Sequence, residues 1–230
     1  MVHDAEKYAH DQMEKYACGD PVNRVQIREY LVNVLSNQLG DYKYVKTRHT
    51  FQSAFTGGLT TITLHCAHNT PALYFGIRHD SVEEIRKRLF GADYLQSRQW
   101  ARTIFMYSMN IGPFSCGWPC AVSGWWPVGG SEGLRLAGEE MLDFVRAIIF
   151  PYLQQHKDVL EIRNTLLFNK GHAQPVSIEQ SVLGIDYAVG RRDWLDQDYD
   201  QLRTRWARYP ADQLTLLDRA YQSAITHWRV

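Results

Sequence analysis

The chain has 230 residues, 45% of them hydrophobic, and its 25 basic side chains are balanced by 25 acidic ones. Such a length buries a sizeable core, while zero formal charge weighs against a nucleic-acid binder or a polybasic membrane anchor, both of which need a basic face. No run approaches the roughly 20 apolar residues that span a bilayer, and the charged opening MVHDAEKYAHDQMEKYA lacks the apolar core of an export signal.

Residues 3 to 17 read as a short polar helix. A firmer helix follows, with Asp20 as N-cap, Pro21 at its first position and Gly40 as its stop. Ile27, Leu31, Val34, Leu35 and Leu39 share one face, and Val22 and Val25 add apolar surface near the start. The texture then changes to period two, and an antiparallel meander is expected from about 42 to 78. Its turns are Thr56-Gly57-Gly58 and His68-Asn69-Thr70-Pro71, and it places Ile62, Leu64 and Cys66 opposite Thr61, Thr63 and His65.

SVEEIRKRLFG predicts a short helix from a Ser81/Glu84 capping box to a stop at Gly91. A fourth strand is expected over 101 to 109. Asn110 to Ser131 follows with five glycines, three prolines and three tryptophans, too many breakers for a helix or central strand and too many aromatics for disorder. From Ser131 the chain is helical, with an apolar stripe from Leu134 to Leu153 that Pro151 should kink or divide. Further helices are expected over 158 to 168, from a Ser177/Gln180 box to Gly190, and over 193 to 208. Pro210 precedes a last helix, which pairs antiparallel with the one before it. The fold class is α+β: about four antiparallel strands, an N-terminal helix layer and an all-helical C-terminal half. The whole reads as one domain over 1–230, with a sheet half about 20–110, an aromatic loop 110–131 and a helical half about 131–230.

No cofactor or metal is expected. Period two sends His65 away from Cys66 and His68, so those three do not converge as zinc ligands would. Cys116 and Cys120 have neither redox nor zinc spacing, and four cysteines in all are too few for a disulfide framework, so a reduced, cytoplasmic protein is expected. Ser123 lacks the glycines of a nucleophile elbow. Gly124, Gly129 and Gly130 lead into a helix as an anion site would, yet no phosphate-loop motif is present, and a plain glycine-rich lead-in is the simpler reading. Glu83 and Glu84 suit a first helical turn; Glu139 and Glu140 suit an exposed face.

Two features suit a protein partner. Trp118, Trp125 and Trp126 are core plugs, interface anchors or pocket walls, and sequence leaves those readings open. Asp193, Asp196, Asp198 and Asp200, interleaved with arginines, form either a solvated helix face or an acidic face for a basic partner surface.

The loop CGWPCAVSGWWPVGG and the tail VLGIDYAVGRRDW, set in this order of elements, resemble bacterial immunity proteins of polymorphic toxin systems. The likeness is to the family encoded beside type VI secretion toxins of restriction-endonuclease-like fold, over most of the chain from about residue 20. It implies a cytoplasmic protein that binds one cognate toxin, a nuclease, and blocks it without catalysis, nucleic-acid contact or membrane contact of its own. An enzyme or ligand-binding protein with a pocket under the tryptophan loop is the alternative.

Overall fold

The computed structural model describes residues 14–96, 105–107, 126–167, 178–207 and 211–228. Helix α1 (Arg24–Gln38) leads into strands β1 (Lys43–Val45), β2 (Thr50–Phe55), β3 (Gly58–Ala67) and β4 (Thr70–His79). Helix α2 (Asp80–Gln96) and β5 (Phe105–Tyr107) follow. The strands form one sheet in the order β1-β2-β3-β4-β5, antiparallel over β1 to β4, and the described C-terminal half is mostly helical: the α+β class that the sequence predicts. Two compact units are drawn from the chain, residues 1–53, 60–75 and 108–154 in one, residues 54–59, 76–107 and 155–230 in the other.

In the first unit α1 starts three residues later than Asp20 would set it. Asn23 is the N-cap: its side chain accepts from the Val25 and Gln26 N–H groups, and the Gln26 side chain accepts from the Asn23 N–H. This reciprocal box satisfies donors that Asp20 and Pro21 leave open. Ile27, Leu31, Leu35 and Leu39 are buried as their spacing requires, but Val25 faces solvent. Tyr44 on β1 pairs with Phe51 on β2, their rings 4.9 Å apart. On β3, Ile62, Leu64 and Cys66 are buried and His65 is exposed as alternation predicts, but Thr61 of the opposite face is buried as well. Helix α3 (Ser131–Phe144) packs on α1 at Gly138, where an added Cβ would lie 3.0 Å from the Tyr30 ring.

The predicted long helix is not divided at Pro151. A π turn (Val145–Ile149) follows α3 with helical backbone on both sides, and α4 (Phe150–Gln155) carries the proline at its second position.

In the second unit α2 begins directly after β4, with the Asp80 N–H bonded to the Gly57 carbonyl rather than capped by Ser81. It also runs through Gly91 to Gln96, past the expected stop. Glycine in a helix interior costs about 1 kcal/mol against alanine. The remaining helices are α5 (Val159–Leu167), α6 (Ile178–Val189), α7 (Arg192–Trp206) and α8 (Ala211–Thr226). Every residue of α6 from Ser181 to Asp186 is buried, so α6 is the unit's central helix. Gly184 admits the Arg86 stem of α2 at 3.0 Å from where a Cβ would sit. Gly190, at φ +73°, ends α6: its own N–H bonds to the Tyr187 carbonyl and that of Arg191 to the Asp186 carbonyl. The Ser177/Gln180 box, and the 101–104 part of the fourth strand, lie outside the described residues.

Candidate functional site

Trp126 is the one tryptophan of the aromatic loop among the described residues; Trp118, Trp125, Cys116, Cys120 and Ser123 lie outside them. Its backbone N–H donates to the Pro71 carbonyl (3.0 Å), and the Val128 N–H to that of Asn69 (2.9 Å), which fixes this stretch beside the start of β4. Its ring is buried, and the indole Nε1–H donates to Glu140 Oε2 on α3 at 3.1 Å. The buried Tyr16 hydroxyl donates to the same oxygen, and Lys15 Nζ reaches Glu140 Oε1 at 2.5 Å. Trp126 is therefore a core plug with its polar handle satisfied, not a solvent-facing anchor. Glu140 leaves the exposed face expected of it; Glu139 stays there, paired with Arg135.

The glycines beside Trp126 serve a backbone crossing. A Cβ on Gly130 would lie 2.1 Å from the Cys18 carbonyl oxygen, and one on Gly133 would lie 1.9 Å from that of Tyr16. At this crossing the first N–H groups of α3 are taken by the protein itself. Ser131 donates to the Asp20 carbonyl (2.8 Å), and Glu132 and Gly133 donate to that of Cys18 (both 3.1 Å). An anion at this helix start would find its donors occupied, so the phosphate reading fails here.

The aspartates expected to act together are separated. Asp193, 63% exposed in its side chain, pairs with Arg191 at 2.5 Å, and hydrogen bonding from that guanidinium holds its carboxyl down at about 2. Asp196, 47% exposed, accepts from Arg192 Nε (2.9 Å) and from the Tyr221 hydroxyl (2.8 Å). Tyr221 of α8 stacks on Tyr199 of α7 at 3.9 Å and 12°, and the Tyr199 hydroxyl donates to Asp218 (2.8 Å). Residues 196 and 199 thus meet 221 and 218, the antiparallel pairing expected of the last two helices.

Asp198 turns inward instead. It is buried and accepts from Arg163 Nη2 of α5, whose Nε donates to Asp186 of α6 at 2.6 Å. One guanidinium serves two buried carboxylates. Burial first, then the Asp198 charge, pushes the Asp186 carboxyl up to about 8 against the pull of Arg163, and burial raises Asp198 as well. Trp194 lies between Arg163 and Arg191, with their guanidinium carbons 4.2 and 4.3 Å from its ring centroid.

Sequence reasoning did not single out Arg163, Asp186, Lys15 or Glu140 as members of clusters. Asp186 had a signal, a lone acid inside the apolar run SVLGIDYAV. Glu83 sits in the first turn of α2, as expected, and is buried there 3.6 Å from Arg86. His65 sits edge-on to Tyr74, Cys66 is buried, and His68 occupies a left-handed turn at φ 53°. Among the described residues no group of three or more His, Cys, Asp or Glu side chains is placed to hold a metal ion, and no helix is long and apolar enough to cross a membrane. No family model, curated protein or solved structure matches this chain.

Proposed function

We propose that this protein binds a cognate secreted antibacterial toxin, of nuclease type, and neutralises it by stoichiometric protein–protein contact, without catalysis of its own. The observation that carries this reading is the outer face of α7 and α8. There the Tyr199–Tyr221 stack is flanked by Asp196, Asp218, Arg192 and Arg203, each held by a partner on the same face. Tyrosine and arginine are the residues that dominate binding energy at interfaces, and side chains already fixed in place lose little entropy on docking. The element order and the two motifs that resemble toxin immunity proteins support the same reading.

The alternative, a pocket under the tryptophan loop, is not favoured by Trp126, which fills its own site. Nor does Asp186 serve an enzyme well: its raised carboxyl would suit a general acid, but it is fully buried and tied to Arg163.

The test is co-expression with the product of the adjacent toxin gene. Rescue of growth together with co-purification of a fixed-ratio complex is expected, and absence of both removes the proposal. Alanine at Asp193 and Asp196 together should weaken the complex if this face makes the contact.

A further inference from the structure

Asp193, Asp196, Asp198, Arg192 and Arg203 of α7 are paired within the protein, whereas among the described residues Arg24 and Arg28 of α1 are not. Arg24 and Arg28 stand one turn apart on α1, and Lys46 opens the 3-10 turn (Lys46–Arg48) after β1. Among the described residues none of the three has a carboxylate within ion-pair distance, and Glu29, next to Arg28 in the chain, pairs with none of them. Arg28 lies beside the Cys66 thiol with its Nε buried and without a hydrogen-bond partner. Val25, between the two arginines in sequence, is 58% exposed, the most exposed large hydrophobic side chain described. Beside Lys46, the Tyr44 hydroxyl lies 2.9 Å from His49 Nδ1, and the Tyr44 ring packs on Phe51.

We propose that Arg24, Val25, Arg28 and Lys46 form a docking surface for a carboxylate-rich protein partner. Aspartate or glutamate side chains of the partner meet the three cations, and its apolar surface covers Val25. Arginine binds a carboxylate with two parallel hydrogen bonds, which makes Arg24 and Arg28 the specific contacts and Lys46 a point charge. Opposite charge at such a surface speeds encounter and sets orientation. A nucleic acid is the weaker fit, because three cations around an exposed valine cannot track a run of phosphates in a chain with no net charge. This inference does not rest on the toxin reading and holds for any partner of this chemistry.

His49 supplies an internal reporter. Burial first, and then Arg28, Arg24 and Lys46, hold its imidazole below the ordinary value. A carboxylate that neutralises those cations raises it again.

The test is an NMR titration of the full chain at low ionic strength with hexaglutamate, inorganic phosphate and a short single-stranded DNA in separate arms. Hexaglutamate should shift the signals of Arg24, Arg28 and Lys46 and raise the His49 titration midpoint. Arg24→Glu with Lys46→Glu should weaken that binding at least about tenfold. The corresponding double alanine variant should weaken it less, and Asp193→Ala with Asp196→Ala should leave it unchanged. Both cations are exposed, so thermal melts should match the parent protein. The proposal is overturned if hexaglutamate does not bind, if charge reversal leaves its binding intact, or if phosphate or DNA binds this surface more tightly.

Discussion

Glu140 in one unit and Asp186 in the other are both carboxylates held inside the protein, and they are held in opposite ways. Glu140 meets three donors, the Lys15 ammonium, the Tyr16 hydroxyl and the Trp126 indole, so its charge is matched. Asp186 shares the single guanidinium of Arg163 with Asp198, so that cluster is one cation short. The first arrangement joins backbone segments far apart in sequence. The second joins α5, α6 and α7. Counting donors against carboxylates therefore separates a carboxylate matched by its donors from one short of a cation without reference to function.

The largest expected effect breaks the second cluster. Arg163→Ala should destabilise the protein by about 3–5 kcal/mol in urea unfolding, because it leaves two buried acids with no counter-charge. Trp126→Ala should cost a similar ~3–5 kcal/mol through lost burial and a cavity, with Glu140 also losing a donor. Were Trp126 a surface anchor, that loss would fall below about 0.5 kcal/mol.

A smaller effect sharpens the comparison by pH. Asp186 is raised on folding, so the native chain keeps a proton that the unfolded chain releases. The stability this contributes is full below the ordinary aspartate range and is lost as pH rises toward about 8. Asp186→Asn imitates the protonated acid. It should match the parent protein within about 1.5 kcal/mol below pH ~4, where the acid is neutral folded and unfolded, and be the more stable of the two at neutral pH. It should also remove a downward slope of at most about 1.4 kcal/mol per pH unit between pH ~4 and ~8. An unchanged slope in denaturant titrations across that range would mean that Asp186 is ionised in the folded protein. The smallest effect is on the exposed face of α7. Asp193→Ala with Asp196→Ala should move stability by less than about 1 kcal/mol by the same titration, as exposed ion pairs do.

Much of the first unit was legible because its signals are local. The meander from β1 to β4 follows period-two alternation and its turn residues, and the buried face of α1 follows helical spacing. The start of α1 was also local, in Asn23 and Gln26, but Pro21 offered a competing signal two residues earlier. Ser81 and Gly91 misled for a different reason. β4 runs straight into α2, which leaves Ser81 no capping role, and the helix continues across Gly91 to Gln96. In the candidate site, Asp193 and Asp196 stayed on the surface as an alternating charge pattern suggests. Asp198 did not, because Arg163, 35 residues earlier in the chain, is what holds it.

The same division runs through Asn110 to Ser131, the stretch richest in helix breakers. Proline and glycine chemistry argues against a helix or a central strand there, and residues 126–129 form neither; the caps and spacing around it are enough to give the α+β order. Whether an individual ring or carboxylate faces water is another matter. That depends on partners brought together from distant segments: Pro71 and Glu140 for Trp126, Cys18 and Tyr16 for the glycines after it, Arg163 for Asp186 and Asp198. Backbone preference is a property of neighbouring residues. Burial and protonation are set by whatever the folded chain places alongside.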